Sequence, residues 1–434
     1  MEERNRRELL GMNVLAAALQ AAGAQRDARP IRVGIVGSGD RGSYHMDLLL
    51  GTDMVEVPAI CDINQDYLYR AKRWVEEAGK PSPTLYGNGK TDFLRLCERT
   101  DLDLVLCATS WEWHAPVCIA AMKAGKHAAT EVPAALTLDE CWEMVETSEK
   151  TGKHCVMLEQ ANYSQHGLTV LEMAQKGLFG QLFCATGGYV HDLRLVKFDP
   201  EREPWRLQHS VDRNGNLYPT HPIGPMAWWL DINRGDKFEY IVSMSSKAVC
   251  LNEYASLYYG DRHPYAGMKM KQGDVNTTLM MTASGKIAVL YFDTNTPHPQ
   301  TAELRLEGTK GHFSGNIQKV YIEGRSPEAH QWEPLENYRA DFEHPLWRNL
   351  DEKKYKRARG HGGGATAPVM WARLLRAIQR GTEPDMNVYD AVTWSVISPL
   401  SEHSVARGSA PVDFPDFTRG KWKNTPPIKL TGEA

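Results

Sequence analysis

The 434-residue chain has eight cysteines, and no two of them form a C-x-x-C pair. That absence argues against a zinc or dithiol redox site, and no metal is expected. Cys61, Cys97, Cys107, Cys118, Cys141, Cys155, Cys184 and Cys250 mostly lie in apolar strands or on helix faces, where cysteine behaves as a small hydrophobe. An excess of charge is also missing: 50 basic residues against 54 acidic give a net charge of -4. Neither nucleic acid nor an anionic membrane surface is therefore an expected partner. Internal repeats and low-complexity tracts are not evident, and the uncharged N-terminal run Leu9–Ala24 is too short for a comfortable membrane span. What remains is a long chain, 42% apolar and 24% charged, which suggests an enzyme of two domains. Fifteen histidines and twelve tryptophans hint at sugar or aromatic-lined pockets.

One stretch organises the rest. Ile31–Val36 is a short apolar run rich in β-branched residues and reads as a buried strand. Gly37, Gly39 and Gly42 follow at G-x-G-x-x-G spacing, ahead of a helix-compatible segment. The first glycine makes the tight turn, the second lets backbone approach a pyrophosphate, and the third lets helix pack on strand. The helix N-terminus then offers free N–H groups to the phosphates. Val55–Cys61 reads as a second strand and ends in Asp62. An acidic residue about 20 positions on is where the ribose hydroxyls of NAD are held. A solvated loop carboxylate is the plainer reading of Asp62, but the glycines and the strand favour NAD.

Ahead of this stretch, Asn5-Arg6-Arg7-Glu8-Leu9-Leu10 resembles a twin-arginine export signal, and Ala22-Gly23-Ala24 an A-x-A-like cleavage site. Residues 1–29 are thus expected to be a signal, with a periplasmic or secreted location, or else an N-terminal helix of a cytoplasmic protein. Residues 30–160 read as an NAD-binding domain. Helices are expected at Asp66–Glu77, Ala115–Lys123 and Leu138–Thr151, and strands at Leu102–Ala108, His127–Thr130 and His154–Leu158. This alternation requires a parallel, doubly wound α/β sheet. Residues 161–434 read as an α+β substrate domain with a large, mainly antiparallel sheet. Its expected strands are Phe183–His191, Tyr240–Ser245, Thr277–Thr282, Lys286–Phe292 and Thr301–Glu307, with few helices between them. Pro204–Asp236 reads as irregular. Helices are expected at Pro368–Gln379 and Val388–Val405, returning to the first domain.

The glycine loop, Gly125-Lys126-His127 and the strand ending in Glu131-Val132-Pro133 resemble the Gfo/Idh/MocA oxidoreductase superfamily. Most members carry Glu-Lys-Pro at the last of these, and the lysine serves dehydrogenase chemistry; here Val132 replaces it. The replacement is similar to that in the NAD-dependent glycoside hydrolases of family 109, known for α-N-acetylgalactosaminidase activity. Further matching segments are Trp111-Glu112-Trp113-His114, Gly188-Tyr189-Val190-His191-Asp192-Leu193-Arg194, Tyr218-Pro219-Thr220-His221 with its flanks, Trp228–Asp236 and Gly360-His361-Gly362-Gly363. Carried over by position, the resemblance implies NAD contacts at Asp40, Arg41, Asp62, Trp111, Trp113, His114, Glu131, Val132, Gln160, Arg206, Tyr218 and His221. It implies substrate contacts at Tyr189 and Tyr218. Two positions depart from the family pattern. Gln160 stands where the family has Asn, with Asn162 two residues later, and Gln300 stands in place of a substrate tyrosine.

The implied reaction is hydrolysis of an α-N-acetylgalactosaminide or related hexoside through transient C3 oxidation, elimination and water addition, an exception to two-carboxylate glycosidases. His221 and Tyr189 are the candidate bases, and Arg194 and Arg206 could supply the positive charge that a tyrosine base needs. Plainer roles exist for each. His221 could be a satisfied core histidine, but its polar setting after Tyr-Pro-Thr favours chemistry. Tyr189 could fill an interface, His114 could cap a helix, and His361 could be a turn. Trp228 and Trp229 read as core, and His191 and Asp192 as orienting residues. An NAD(P)-dependent sugar oxidoreductase is the alternative reading, and a non-catalytic ligand-binding protein the third. Val132 argues against the former and the His221–Tyr189 pair against the latter. The expected partner is a small glycoside or glycan terminus, with a homo-oligomer possible.

Overall fold

The computed structural model describes residues 29–348 and 365–432; the export-like segment and Gly360–Gly363 lie outside them. The chain forms two units. One takes in the described residues of Met1–Ser164, His344–Val392 and Lys429–Ala434, the other Gln165–Glu343 and Thr393–Ile428.

The first unit is built on β1 (Ile31–Val36), β2 (Val55–Cys61), β3 (Thr84–Tyr86), β4 (Leu104–Cys107), β5 (His127–Thr130) and β6 (Cys155–Met157). They form a six-stranded sheet in the order β3-β2-β1-β4-β5-β6. Every neighbouring pair is parallel. The strand order reverses between β1 and β4, the place where doubly wound sheets bind ligands beyond their C-terminal strand ends. Ile31, Val33, Ile35, Leu104, Leu106 and Ala129 are all buried, as parallel strands covered on both faces must be. The crossover helices carry their stop and start signals in sequence. Asn64 caps Gln65–Glu77, accepting from the amides of Asp66 and Tyr67. Thr137 and Glu140 make a reciprocal capping box on Leu138–Thr151, which ends at Gly152 in the left-handed region.

The second unit carries β7 (Leu182–Val190), β8 (Phe238–Ser245), β9 (Asn276–Thr282), β10 (Ile287–Asp293), β11 (Arg305–Gly308), β12 (Gly311–Ser314), β13 (Lys319–Ile322), β14 (Glu333–Pro334) and β15 (Val412–Asp413). These form one nine-stranded sheet, β14-β13-β12-β11-β7-β10-β9-β8-β15. It is antiparallel except where β10 runs parallel to β7. The strands alternate cleanly. Ile241, Met280, Ala288, Leu290 and Phe292 are buried on one face, while Tyr240, Met244, Leu279 and Ile287 are exposed on the other. Tyr189 pairs with Phe292 in register and so belongs to the covered face. Among the described residues no helix is long and apolar enough to cross a membrane.

Several expectations need correction. Pro204–Asp236 is not irregular: it contains the helices Trp205–Asp212 and Thr220–Trp229. Nearly every residue of the second helix is buried, so it has no one-sided apolar period, and Pro222 and Pro225 disguise it further. The helix expected over Val388–Val405 is two helices, Val388–Ser395 and Ile397–Ala406. Pro399 has no N–H to donate to the Ser395 carbonyl, and its ring crowds that position. The strand expected from Thr301 begins at Arg305, and Thr301 itself makes an isolated bridge to Val190. The helix Cys250–Tyr259 was not anticipated.

Candidate active site

In the first unit the glycine loop forms a cradle. Gly37 has φ +88, and a Cβ there would lie 2.5 Å from the Ala108 carbonyl oxygen. A Cβ on Gly42 would lie 1.9 Å from the Gly37 oxygen, so strand and helix close only over hydrogen. At Gly39 the nearest obstacle would be the Tyr67 ring at 3.5 Å, so the backbone there is open to an approaching ligand. Gly39 also heads the helix Asp40–Leu50, whose first amides have no side-chain cap. A helix N-terminus placed behind a glycine turn suits a pyrophosphate. Asp62 accepts from the Ser38 amide at 2.6 Å, the Ser38 hydroxyl at 2.9 Å and the Asn64 amide at 2.8 Å. Its carboxylate thus fixes the loop and keeps a lone pair on Oδ1 for a ribose hydroxyl.

Glu131 is the hub of a second network. Arg41 Nε and His45 Nε2 lie 2.8 and 2.6 Å from its Oε1. Trp371 donates to His45 Nδ1 at 3.0 Å, so His45 carries its proton on Nε2 and donates it to Glu131 as a neutral ring. Burial alone would raise the Glu131 carboxyl, but Arg41 and His45 hold it well below the carboxylate range. Val132 is buried beside it, and the Val132–Pro133 bond is cis. His114 faces two carbonyls, Pro133 O at 2.6 Å from Nδ1 and Thr109 O at 3.0 Å from Nε2. It ties together the loops that leave β4 and β5, and a neutral ring can donate to just one of them. Trp111 is buried and Trp113 half-buried, its ring edge-on to Phe93. Gln160 and Asn162, on the turn after β6, leave buried amide atoms with no partner.

The second unit holds an aromatic and cationic cluster. The Tyr189 ring lies 4.5 Å from Tyr218 and 5.5 Å from His221, and Tyr218 and His221 lie 5.1 Å apart. Packing at one glycine sets this arrangement. A Cβ on Gly187 of β7 would lie 2.7 Å from Met226 Sδ and 2.8 Å from Pro222 Cβ. The helix Thr220–Trp229 can therefore rest directly on the strand that bears Tyr189. Arg206, on the preceding helix, stands over the Tyr218 ring at 4.8–5.1 Å from its aromatic neighbours Trp205 and Tyr218 and pairs with Glu203. Burial opposes its charge, yet Glu203, Tyr218 and Tyr189 hold its pKa above the ordinary value. Lys197 is also buried and donates to Ser210 Oγ, Thr294 Oγ1 and Asn295 Oδ1 at 3.1, 2.9 and 2.5 Å. Burial, with Arg206 adding to it, pulls Lys197 down to about 7. His191 packs edge-on against Tyr189 at 4.6 Å. Burial, then Arg206 and His221, lowers His191 to about 4, and its Nε2 is buried without a partner.

The chain matches the family profile "Glycosyl hydrolase 109, C-terminal domain" over residues 163–424 and "Oxidoreductase family, NAD-binding Rossmann fold" over residues 31–159. It is 42% identical over 401 residues to a glycosyl hydrolase family 109 protein of Solibacter usitatus, covering 92% of this chain and 90% of that one. The chain belongs to glycosyl hydrolase family 109. A family 109 protein of Shewanella putrefaciens is 39% identical over 407 residues, 93% of this chain and 88% of the relative. The solved complex of levoglucosan dehydrogenase with NADH and levoglucosan shares the fold, with a TM-score of 0.65 at 21% identity over 89% of this chain and all of that one. The chain is a glycoside hydrolase, and its cofactor is NAD. The open backbone at Gly39, the uncapped helix amides and the braced Asp62 fit that dinucleotide.

This family 109 chain brings together only some of the expected site residues. Tyr189, Tyr218, His221 and Arg206 form one cluster in the second unit. Gly37, Gly39, Gly42 and Asp62 form the cradle in the first, with Asp40 in the first turn of its helix. Arg41 and Glu131 are bound to each other. Arg194 does not serve the tyrosine pair: it chelates Asp192 and stands over Tyr254 at 4.9 Å. Trp228 and Trp229 are core, and Trp229 donates to the Gly167 carbonyl. Gln300 is exposed on the turn that precedes Thr301. Ser38, His45, Trp371 and Lys197 were not foreseen. Ser38 sits inside the glycine motif, but nothing in sequence joins Trp371 to His45.

The buried and half-buried histidines make a pH prediction. His45, His114, His127, His154 and His191 all lie below the ordinary 6.5, burial being the leading cause, with His127 and His191 each near 4. The unfolded chain takes up these protons as pH falls through about 6.5, while the folded chain does so only lower down. Their contribution is complete above pH 6.5 and is lost on acidification toward 4. Asp231, raised to about 6 by burial, acts with the opposite sign but alone. Thermal melts from pH 8 to 4.5 should show Tm falling below pH 6.5; a flat or rising Tm there would contradict these protonation states.

Proposed function

We propose that this glycosidase cleaves an α-N-acetylgalactosaminide or a related hexoside, with His221 and Tyr189 as its acid–base pair. When bound, NAD supplies a hydride acceptor that is restored within each turnover, so C3 of the sugar is oxidised and reduced with no net change. His221 takes the proton of the C3 hydroxyl. With a ketone at C3 the C2 proton is acidic, and Tyr189 removes it or protonates the leaving oxygen as the aglycone departs from C1. Addition of water across C1 and C2 completes hydrolysis, and His221 returns its proton. The observation that carries this reading is the close set of Tyr189, Tyr218 and His221 beside the guanidinium of Arg206. A fixed positive charge is what a phenol needs to act as a base near neutral pH. Val132, in place of a lysine, favours hydrolysis over a dehydrogenase that releases a keto-sugar.

The test is a panel of nitrophenyl N-acetylgalactosaminides, galactosides and glucosides with no NAD added. Release of nitrophenol without lasting NADH absorbance is expected. Accumulating NADH with intact glycoside would replace this reading by a sugar oxidoreductase. The exposed apolar face with Tyr240, Met244, Leu279 and Ile287 supports a homo-oligomer, and the Arg6-Arg7 segment supports export. Light scattering of the purified protein and fractionation of the expressing cells read these two expectations.

A further inference from the structure

Beyond the sugar cluster, the second unit exposes a set of aromatic rings that folding does not require. The helix Cys250–Tyr259 buries Leu251, Tyr254 and Ala255. Leu251 joins Leu207 and Met270 in a small core, with Phe198 and Tyr265 packed against it. That core anchors the helix on the segment that bears Arg206. The last turn of the helix is different. Leu257 is 76% exposed, Tyr258 63% and Tyr259 46%. The Tyr258 ring lies 4.4 Å from Tyr254, while Tyr259 is stacked on Phe198 at 5.4 Å with 14° between planes and has His263 at 5.1 Å. Large apolar rings held rigidly in water and rimmed by polar groups mark a binding surface.

A contiguous series of contacts joins this surface to the sugar cluster. Tyr189 packs on His191 at 4.6 Å. The next residue, Asp192, chelates Arg194, and Arg194 stands over the Tyr254 ring. The platform thus starts where the strand bearing Tyr189 ends. Its chemistry suits saccharide rings. A pyranose offers a C–H face to an aromatic ring and a rim of hydroxyls to an ion pair such as Asp192–Arg194. A lipid surface would call for an excess of basic residues beside the rings, whereas the Arg194 beside this platform is neutralised by Asp192.

We propose that Tyr258 and Leu257, with Tyr254 beside them, form a subsite for the sugars that follow the scissile bond in a glycan chain. The proposal rests on the glycosidase reading above. Such a subsite holds sugars that lie beyond the reach of a nitrophenyl group and leaves the chemistry at the terminal sugar untouched.

The test compares wild type, Tyr258→Ala and Tyr258→Phe on two probes: the nitrophenyl hexoside cleaved fastest in the panel, and a trisaccharide ending in the same sugar. Tyr258→Ala should lower kcat/KM for the trisaccharide about tenfold, the scale of one good aromatic contact, and leave the nitrophenyl hexoside within about twofold. Tyr258→Phe, which keeps the ring, should restore most of the loss. Equal losses on both probes, or no loss on the trisaccharide, would overturn the subsite. So would a fall in oligomeric mass by light scattering with trisaccharide turnover unchanged, which would make the platform a subunit contact. If wild type releases sugar from neither probe, the glycosidase reading fails by itself. Calorimetry of the trisaccharide on the NAD-loaded protein then decides the platform: binding lost in Tyr258→Ala upholds it, and binding unaffected or absent in wild type overturns it.

Discussion

Replacing His221 with alanine is expected to abolish glycoside turnover while NAD stays bound. His221 sits in the first turn of the helix Thr220–Trp229, half-buried and facing the rings of Tyr189 and Tyr218. Alanine favours that helix and opens a small gap beside two rings that are already in contact, so the fold should persist. Loss of a positioned base costs about 10²–10⁴ in rate, which places the variant near the detection floor of a nitrophenyl assay. Dinucleotide released on heat denaturation should match wild type, because the glycine cradle and Asp62 are untouched. Activity within tenfold of wild type, with normal NAD content, would remove His221 from the acid–base role.

The second large effect separates two glycines of one loop. Gly39→Ala and Gly42→Ala should both lose NAD, for different reasons. The Cβ at position 42 would stand 1.9 Å from the carbonyl oxygen of Gly37. No side chain can yield there; the loop itself must move, and melting of the cofactor-free protein should drop by several degrees. The Cβ at position 39 would touch nothing nearer than the Tyr67 ring at 3.5 Å. The cofactor-free Gly39→Ala protein should therefore melt like wild type, yet bind NAD at least 100-fold more weakly in calorimetry. The methyl group would occupy the ground that a pyrophosphate needs. Undiminished NAD binding by Gly39→Ala would mean that the dinucleotide does not run over this loop.

Much of this was legible in the residues because the signals are local. Ile31–Val36 followed by Gly37-Ser38-Gly39 names a strand, a turn and a helix start within a dozen positions. The capping box at Thr137 and Glu140 and the stop at Gly152 fix a helix to the residue. The pairing of Tyr189 with the Tyr-Pro-Thr-His segment was suggested by family resemblance, and the strand and helix that carry them explain it. What escaped was non-local or disguised. The helix Thr220–Trp229 is apolar on every side and holds two prolines, so neither period nor composition betrays it. The short strands β12 to β14 are stabilised by pairing more than by their own pattern. Lys197 looks like a surface residue until Ser210, Thr294 and Asn295 converge on it. Trp371 meets His45 across more than 300 residues, a distance at which only folding can introduce them.

The hydrogen on Gly187 has a consequence for how this enzyme could change its diet. Strand and helix meet there without a spacer, so the tyrosine and the histidine move as one welded corner. Any larger group would wedge that corner apart and detune both at once. Under the glycosidase reading proposed above, a new sugar preference would be easier to acquire on the solvent-facing bend around Gln300, where the side chain can vary while the corner stays fixed.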